Sequence, residues 1–101
     1  MTTRRQLDRS WLRDVPPDKV FWCSDGRVMK NLDELIVSLQ DMTEETFRYH
    51  ANEQKSDFSN WVRDVIGDDA LAKDLAQSAT SVRAARKVQT RLAHLKKSLQ
   101  V

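Results

Sequence analysis

Residues 31–69 read NLDELIVSLQDMTEETFRYHANEQKSDFSNWVRDVIGDD, and this stretch decides the fold class. Asn31, Thr43 and Asp68 each favour the start of a helix, because their side-chain oxygens can accept a hydrogen bond from a free N–H of the first turn. Behind Asn31, apolar residues recur at i, i+3, i+4 and i+7, which is one face of a helix. These residues are Leu32, Leu35, Ile36 and Leu39.

The rest of the stretch predicts three further helices. Thr43 caps a short second helix. A third helix is predicted from about residue 55 to residue 66, and Gly67 is expected to end it in a left-handed conformation. Its apolar face consists of Phe58, Trp61, Val62 and Val65. Asp68 then caps a fourth helix that carries Leu71 and Leu75.

On the N-terminal side, two short β-prone runs, 20–23 and 27–30, flank Ser24-Asp25-Gly26. Asp-Gly between such runs predicts a β-hairpin with a primed turn. Pro16-Pro17 prevents a helix from continuing through this region. Trp11 and Leu12 indicate that the residues before the prolines dock onto the body of the protein.

On the C-terminal side, a final helix of about 20 residues is expected after the break at residues 78–81. It carries a narrow apolar seam of the coiled-coil kind, with steps of three and four residues. The seam consists of Ala85, Val88, Leu92, Leu95 and Leu99. It could pack on the domain itself or serve as a partner or dimer face, and the sequence favours neither alternative.

These predictions combine into a mainly α fold with a short β-hairpin, four short-to-medium helices and a longer C-terminal amphipathic helix. We divide the chain into a basic N-terminal arm (1–18), a hairpin plus helical core domain (19–78) and a C-terminal amphipathic basic helix (79–101). The 101 residues allow one hydrophobic core. No apolar run reaches the roughly 20 residues of a membrane span, and Cys23 is the single cysteine. We therefore expect a soluble, cytoplasmic protein without membrane association.

The sequence offers little for catalysis. His50 is the one plausible acid–base residue, and Asp57, Asn60 and Asp64 share a helix face that could bring a polar cluster to it. The alternative is a structural histidine that hydrogen-bonds near a helix end. Two His and one Cys lack zinc-site spacing, and two glycines cannot form a phosphate-binding loop. We expect no enzyme activity, no metal and no cofactor.

Charge is distributed unevenly along the chain. Residues 1–30 carry seven Lys/Arg and four Asp/Glu, residues 31–74 carry four and eleven, and residues 75–101 carry six and none. The basic C-terminal residues are candidate nucleic-acid contacts, with the arm residues Arg4, Arg5, Arg9 and Arg13. They are Arg83, Arg86, Lys87, Arg91, Lys96 and Lys97. A solvated basic face, or pairing with the acidic middle of the chain, is the structural alternative.

Residues 21–26, 30–35, 42–52 and 56–68 (FWCSDG, KNLDEL, MTEETFRYHAN and SDFSNWVRDVIGD) resemble a small domain of unknown function, the DUF5752-like group found in archaeal and some bacterial proteins. Ser56 and Ala51 depart from its pattern, which has Asn and Val there. The resemblance implies a fold unit without an assigned activity. It also implies that seven residues belong to the module's signature, as fold locks or as a binding face: His50, Asn52, Asp57, Asn60, Trp61, Arg63 and Asp64.

Two functions follow as expectations. The first is a small non-catalytic protein-interaction or assembly module, in which the apolar seam binds a protein partner or a second copy in a homodimer. The alternative is nucleic-acid or ribonucleoprotein binding through the basic C-terminal helix and the N-terminal arm. Burial of the seam inside its own domain would remove the main support for the first.

Overall fold

The computed structural model describes residues 7–99 and confirms the predicted fold class. A two-stranded antiparallel hairpin precedes the helices, and the last helix is the longest. The elements are β1 (Phe21–Trp22), β2 (Val28–Met29), α1 (Leu32–Asp41), α2 (Glu44–His50), α3 (Asp57–Trp61), α4 (Asp69–Ala76) and α5 (Ser81–Leu99).

The N-terminal segment lies against the body of the protein, as Trp11 and Leu12 predicted. It forms two short 3-10 turns, Arg9–Leu12 and Pro17–Lys19, and the side chain of Trp11 is buried. The Trp61 indole Nε1 donates to the Lys19 carbonyl at 2.8 Å, and the Val15 N–H donates to the Lys30 carbonyl at 2.7 Å. The described part of the arm therefore belongs to the folded domain.

The hairpin is shorter than the sequence suggests, and its turn differs from the prediction. Only Phe21 and Trp22 pair with Met29 and Val28. The Gly26 N–H donates to the Cys23 carbonyl, and Gly26 itself has a φ of 96°. Ser24, Asp25 and Gly26 therefore form a three-residue connection with one left-handed residue, whereas a primed turn has two residues.

The three predicted helix starts are confirmed. Asn31 accepts a hydrogen bond from the Glu34 N–H at 2.8 Å, Thr43 from the Thr46 N–H at 3.0 Å and Asp68 from the Leu71 N–H at 3.2 Å. Each cap satisfies one backbone donor that the helix leaves free.

The predicted third helix is two pieces. Ser56 caps α3, and a π-helical turn, Val62–Ile66, follows it. The turn ends where the Gly67 N–H donates to the Val62 carbonyl at 2.7 Å, five residues back, and Gly67 takes the predicted left-handed conformation with a φ of 100°. A Cβ at Gly67 would lie 3.2 Å from the Trp11 Nε1, so this position also lets the indole approach closely.

One hydrophobic core joins all three segments that we distinguished in the sequence. Buried residues come from the N-terminal turn, the hairpin and every helix. Helix α5 lies along α1 and also packs on α4, while α3 packs on α4 and β2 on α1. The inner face of α5 is therefore part of the core, and its opposite face forms the surface described below.

Candidate functional site

His50 is buried and both of its ring nitrogens have partners. The Ser24 backbone N–H donates to Nε2 at 2.9 Å, and Nδ1 lies 3.0 Å from an Asp57 carboxylate oxygen. Because a backbone N–H can only donate, Nε2 is the acceptor and Nδ1 carries the proton. The ring also packs against Phe21 and Phe58. His50 therefore connects the hairpin turn to α2 and α3, and neither nitrogen is free to accept a proton from a substrate.

The structure does not bring the other residues of the predicted polar cluster to His50. Asn60 and Asp64 instead hydrogen-bond Arg63, and all three are exposed. Hydrogen bonding to Asp64 raises the pKa of Arg63. Among the signature residues, only His50 and Asp57 form a buried or half-buried polar pair.

Two further signature residues hold backbone in place. Asn52 donates to the Arg48 carbonyl at 2.9 Å and accepts from the Gln54 N–H at 2.9 Å, so it closes the C-terminal end of α2. Trp61 bonds Lys19, as described above. These contacts match the fold-lock alternative for Asn52 and Trp61.

The apolar seam packs inside the domain, so its expected role as a partner or dimer face must be corrected. Ala85, Val88, Leu92 and Leu95 are buried and Leu99 is half-buried, all within this one chain. The physical reason is that α1 and α4 present the apolar faces that cover the seam. A second copy cannot reach these side chains while α5 is docked.

The prediction that Arg91 contacts nucleic acid must also be corrected, because its guanidinium already binds a carboxylate. Its Nε lies 2.7 Å from Asp68 Oδ2 and its Nη2 2.9 Å from Oδ1, a bidentate pair. The Asp68 side chain has no exposed surface, and Arg91 retains 17 %. The guanidinium also lies over the Trp11 ring, 5.7 Å from its centroid. Arg91 therefore joins α5 to the cap of α4 instead of facing a ligand.

Except for Lys96, the remaining predicted cations of α5 lie on the side of the helix that points away from the core. We define the outer face as the positions that fall within about 60° of one line along the helix, at roughly 100° per residue. It consists of Arg83, Arg86, Lys87, Thr90, His94 and Lys97, all exposed. It runs for about 21 Å, at 1.5 Å per residue.

Among residues 7–99, the cations of the outer face have no ion-pair partners. Within residues 7–99, no carboxylate lies within 4 Å of Arg83, Arg86, Lys87 or Lys97. The acidic middle of the chain, which we considered as their partner, therefore does not neutralise them. It pairs with Arg91 and, loosely, with Lys96, which lies 3.8 Å from Asp33 at the surface.

A shallow groove follows the outer face where α4 meets α5. Its volume is about 850 Å³, and Asp74 is its single acidic residue. The lining residues are Asp74, Gln77, Ser78, Arg83, Arg86, Lys87, Thr90, Arg91 and His94. The groove is open to solvent along its length and offers cations and hydrogen-bonding side chains. Such a surface suits an extended anion better than a small enclosed substrate.

The N-terminal arm adds a separate basic patch. Arg9 and Arg13 line a depression of about 460 Å³ together with Leu12 and Lys96. Lys96 points to a different side of α5 from the outer face, so the two patches are distinct. Arg4 and Arg5, the other predicted arm contacts, lie outside the described residues.

Three further observations concern metal binding, membrane crossing and the single cysteine. Within residues 7–99, no group of three or more His, Cys, Asp or Glu is placed to hold a metal ion. None of the helices in that range is both long and apolar enough to cross a bilayer. Cys23 is buried in the hairpin, and burial raises the pKa of its thiol.

Comparison with known proteins adds no family. No family model matches the chain, and neither a curated protein nor a solved structure matches it. The resemblance of residues 21–68 to the DUF5752-like group therefore stays a prediction.

Proposed function

We propose that this chain is a non-catalytic, cytoplasmic module that binds nucleic acid through the outer face of α5. The observation that carries the proposal is a row of four cations, Arg83, Arg86, Lys87 and Lys97, on the side of the helix opposite the core. None of them has a carboxylate within 4 Å among residues 7–99. Lys and Arg side chains that neutralise phosphates release condensed counterions, and this release favours binding.

Burial of the apolar seam favours the second of the two functions that the sequence left open, because it weakens the support for the first. The seam was the main support for a partner or dimer role, and α1 and α4 already cover it. In contrast, the side chains of the four cations of the outer face are exposed and available to a ligand. The same helix therefore supports polyanion binding better than helix-mediated assembly.

The test is binding of a fluorescein-labelled dT12 oligonucleotide, followed by anisotropy between 50 and 200 mM NaCl. We expect affinity to fall steeply with salt. Arg86→Gln/Lys87→Gln should reduce the slope of log K against log salt by about 1.4, because each single-strand phosphate contact contributes about 0.7.

The matched control removes two exposed lysines away from α5, Lys19→Gln/Lys30→Gln. It lowers the net charge equally and should leave the slope within error of the unmodified protein. If the protein does not bind dT12 at 50 mM NaCl, or if both double variants change the slope equally, the outer face is not the binding surface.

A second candidate, protein interaction, is favoured by a different observation. Trp22 is 73 % exposed and pairs across the hairpin with Val28, which is 42 % exposed. Exposed tryptophan is a residue type that often anchors protein interfaces. In this alternative, the outer side of the hairpin binds the same side of a second copy.

Light scattering coupled to size-exclusion chromatography tests the second candidate. A dimer that Trp22→Ser converts to a monomer would support it. A monomer at every concentration would leave the hairpin without a role in self-association.

A further inference from the structure

The groove along α5 continues into a second depression. The second has a volume of about 450 Å³ and lies between the C-terminal end of α2 and the end of α4. Both depressions are lined by Gln77 and Ser78, so they meet at the α4–α5 connection. An extended ligand that occupied both depressions would follow a path from the outer face of α5 to the end of α2.

An exposed aromatic ring, that of Tyr49, lies beside the far end of this path without being part of its lining. Arg48 and Lys55 line the second depression, and the Lys55 Nζ lies 5.3 Å from the ring centroid of Tyr49. Tyr49 is 62 % exposed, so part of its ring is accessible to a ligand. The ring also contacts the His50 ring edge-on, with 4.9 Å between the centroids.

The charge along the path is positive but not uniform. Asp74 lies in the first depression and Glu53 in the second. Lys55 is bound to Asp57 at 3.0 Å, so Arg48 is the cation of the second depression that has no carboxylate within 4 Å among residues 7–99. We therefore expect one phosphate contact there, compared with several along α5.

We propose that the ligand is single-stranded nucleic acid. Its backbone follows the path, and one of its bases stacks on Tyr49. This rests on the proposed function of the outer face. An aromatic ring can stack on a base only when that base has left its neighbours, and the combination of a basic groove with an exposed aromatic side chain is typical of single-strand binding. A duplex would use the cations of α5 and gain nothing from Tyr49.

The experiment compares dT12 with a dT12·dA12 duplex at 50 mM NaCl, using Tyr49→Ala. Affinity for dT12 should fall by about fivefold or more, since stacking on one aromatic residue is worth at least that much. Affinity for the duplex should stay within about twofold of the unmodified protein. Arg48→Gln should lower the dT12 salt slope by about 0.7.

The control is Trp22→Ala, which removes an even more exposed aromatic side chain outside the path. If Tyr49→Ala binds dT12 like the unmodified protein, or if Trp22→Ala weakens it as much, the single-strand path is wrong. In that case the effect of Arg86→Gln/Lys87→Gln still reports on the outer face. If the unmodified protein binds neither probe, the proposed function itself fails.

Discussion

The two sides of α5 belong to one helix but differ in which groups of the protein contact them. The inner side carries the apolar seam, which α1 and α4 cover. The outer side carries four cations with no carboxylate within 4 Å among residues 7–99. An amphipathic pattern therefore identifies the apolar side of a helix but not the element that covers it. Charges that the described residues leave unpaired mark the surface that is available to a ligand.

The difference between the two sides of α5 is clearest for Arg91 and Arg86. They lie five residues apart on one helix, and the sequence places both among the candidate nucleic-acid contacts. Arg91 is half-buried and bidentate to Asp68, whereas Arg86 is exposed and has no carboxylate within 4 Å among residues 7–99. The first should matter for folding and the second for binding.

The largest expected effect is on Arg91. Arg91→Met should lower the free energy of unfolding by about 3–5 kcal/mol, because it leaves the Asp68 carboxylate buried without its counter-ion. Urea denaturation measures this. The double variant Asp68→Asn/Arg91→Met should recover part of the loss, since Asn still caps a helix. Arg86→Met is the matched control, and it should stay within about 0.5 kcal/mol of the unmodified protein. Equal losses for the two arginines would contradict the comparison.

A slightly smaller effect is expected within the seam. Leu95 is fully buried, so Leu95→Ala should cost about 2–5 kcal/mol through lost apolar burial and a residual cavity. Lys97→Ala, two residues further on the outer face, should leave the unfolding midpoint nearly unchanged. A Leu95→Ala variant as stable as Lys97→Ala would mean that α5 is not docked as described.

The smallest expected effect concerns the reactivity of Cys23, which lies on the buried side of the hairpin. Cys23 is buried beside the exposed Trp22, and burial raises the pKa of the Cys23 thiol, so little thiolate forms near neutral pH. Its reaction with a disulfide reagent at pH 8 should be roughly tenfold or more slower in the native protein than in urea. The rate should rise as the pH approaches the raised pKa. Any stability that this shift contributes is present below the thiol's ordinary pKa and is lost above it. Native and denatured rates that agree would place Cys23 at the surface.

Local signals in the sequence were enough to predict most elements. Asn31, Thr43 and Asp68 cap helices because the interaction involves a residue and a backbone N–H only three positions away. Gly67 ends the third helical segment as expected. The π-helical turn before it was missed, because the local apolar spacing is that of a continuous α-helix and the Trp11 indole beside Gly67 comes from a distant part of the chain.

The candidate site was harder to predict for the same reason. The sequence identified the basic residues of α5 but could not separate Arg91 from the others, since its partner Asp68 lies 23 residues away and was recognised only as a cap. Tyr49 carried no signal at all, because an exposed and a buried aromatic residue look alike in a short helix. The pairing of His50 with Asp57 was one of the alternatives that helix spacing had suggested.

The most direct test of the account is a two-dimensional 1H–15N NMR titration of the full chain with dT12 at 50 mM NaCl. The account predicts that the largest amide shifts cluster at Arg83, Arg86 and Lys87 and continue through Gln77 and Ser78 to Tyr49. Shifts confined to the hairpin around Trp22, or an absence of shifts at any oligonucleotide concentration, would contradict binding through the outer face of α5.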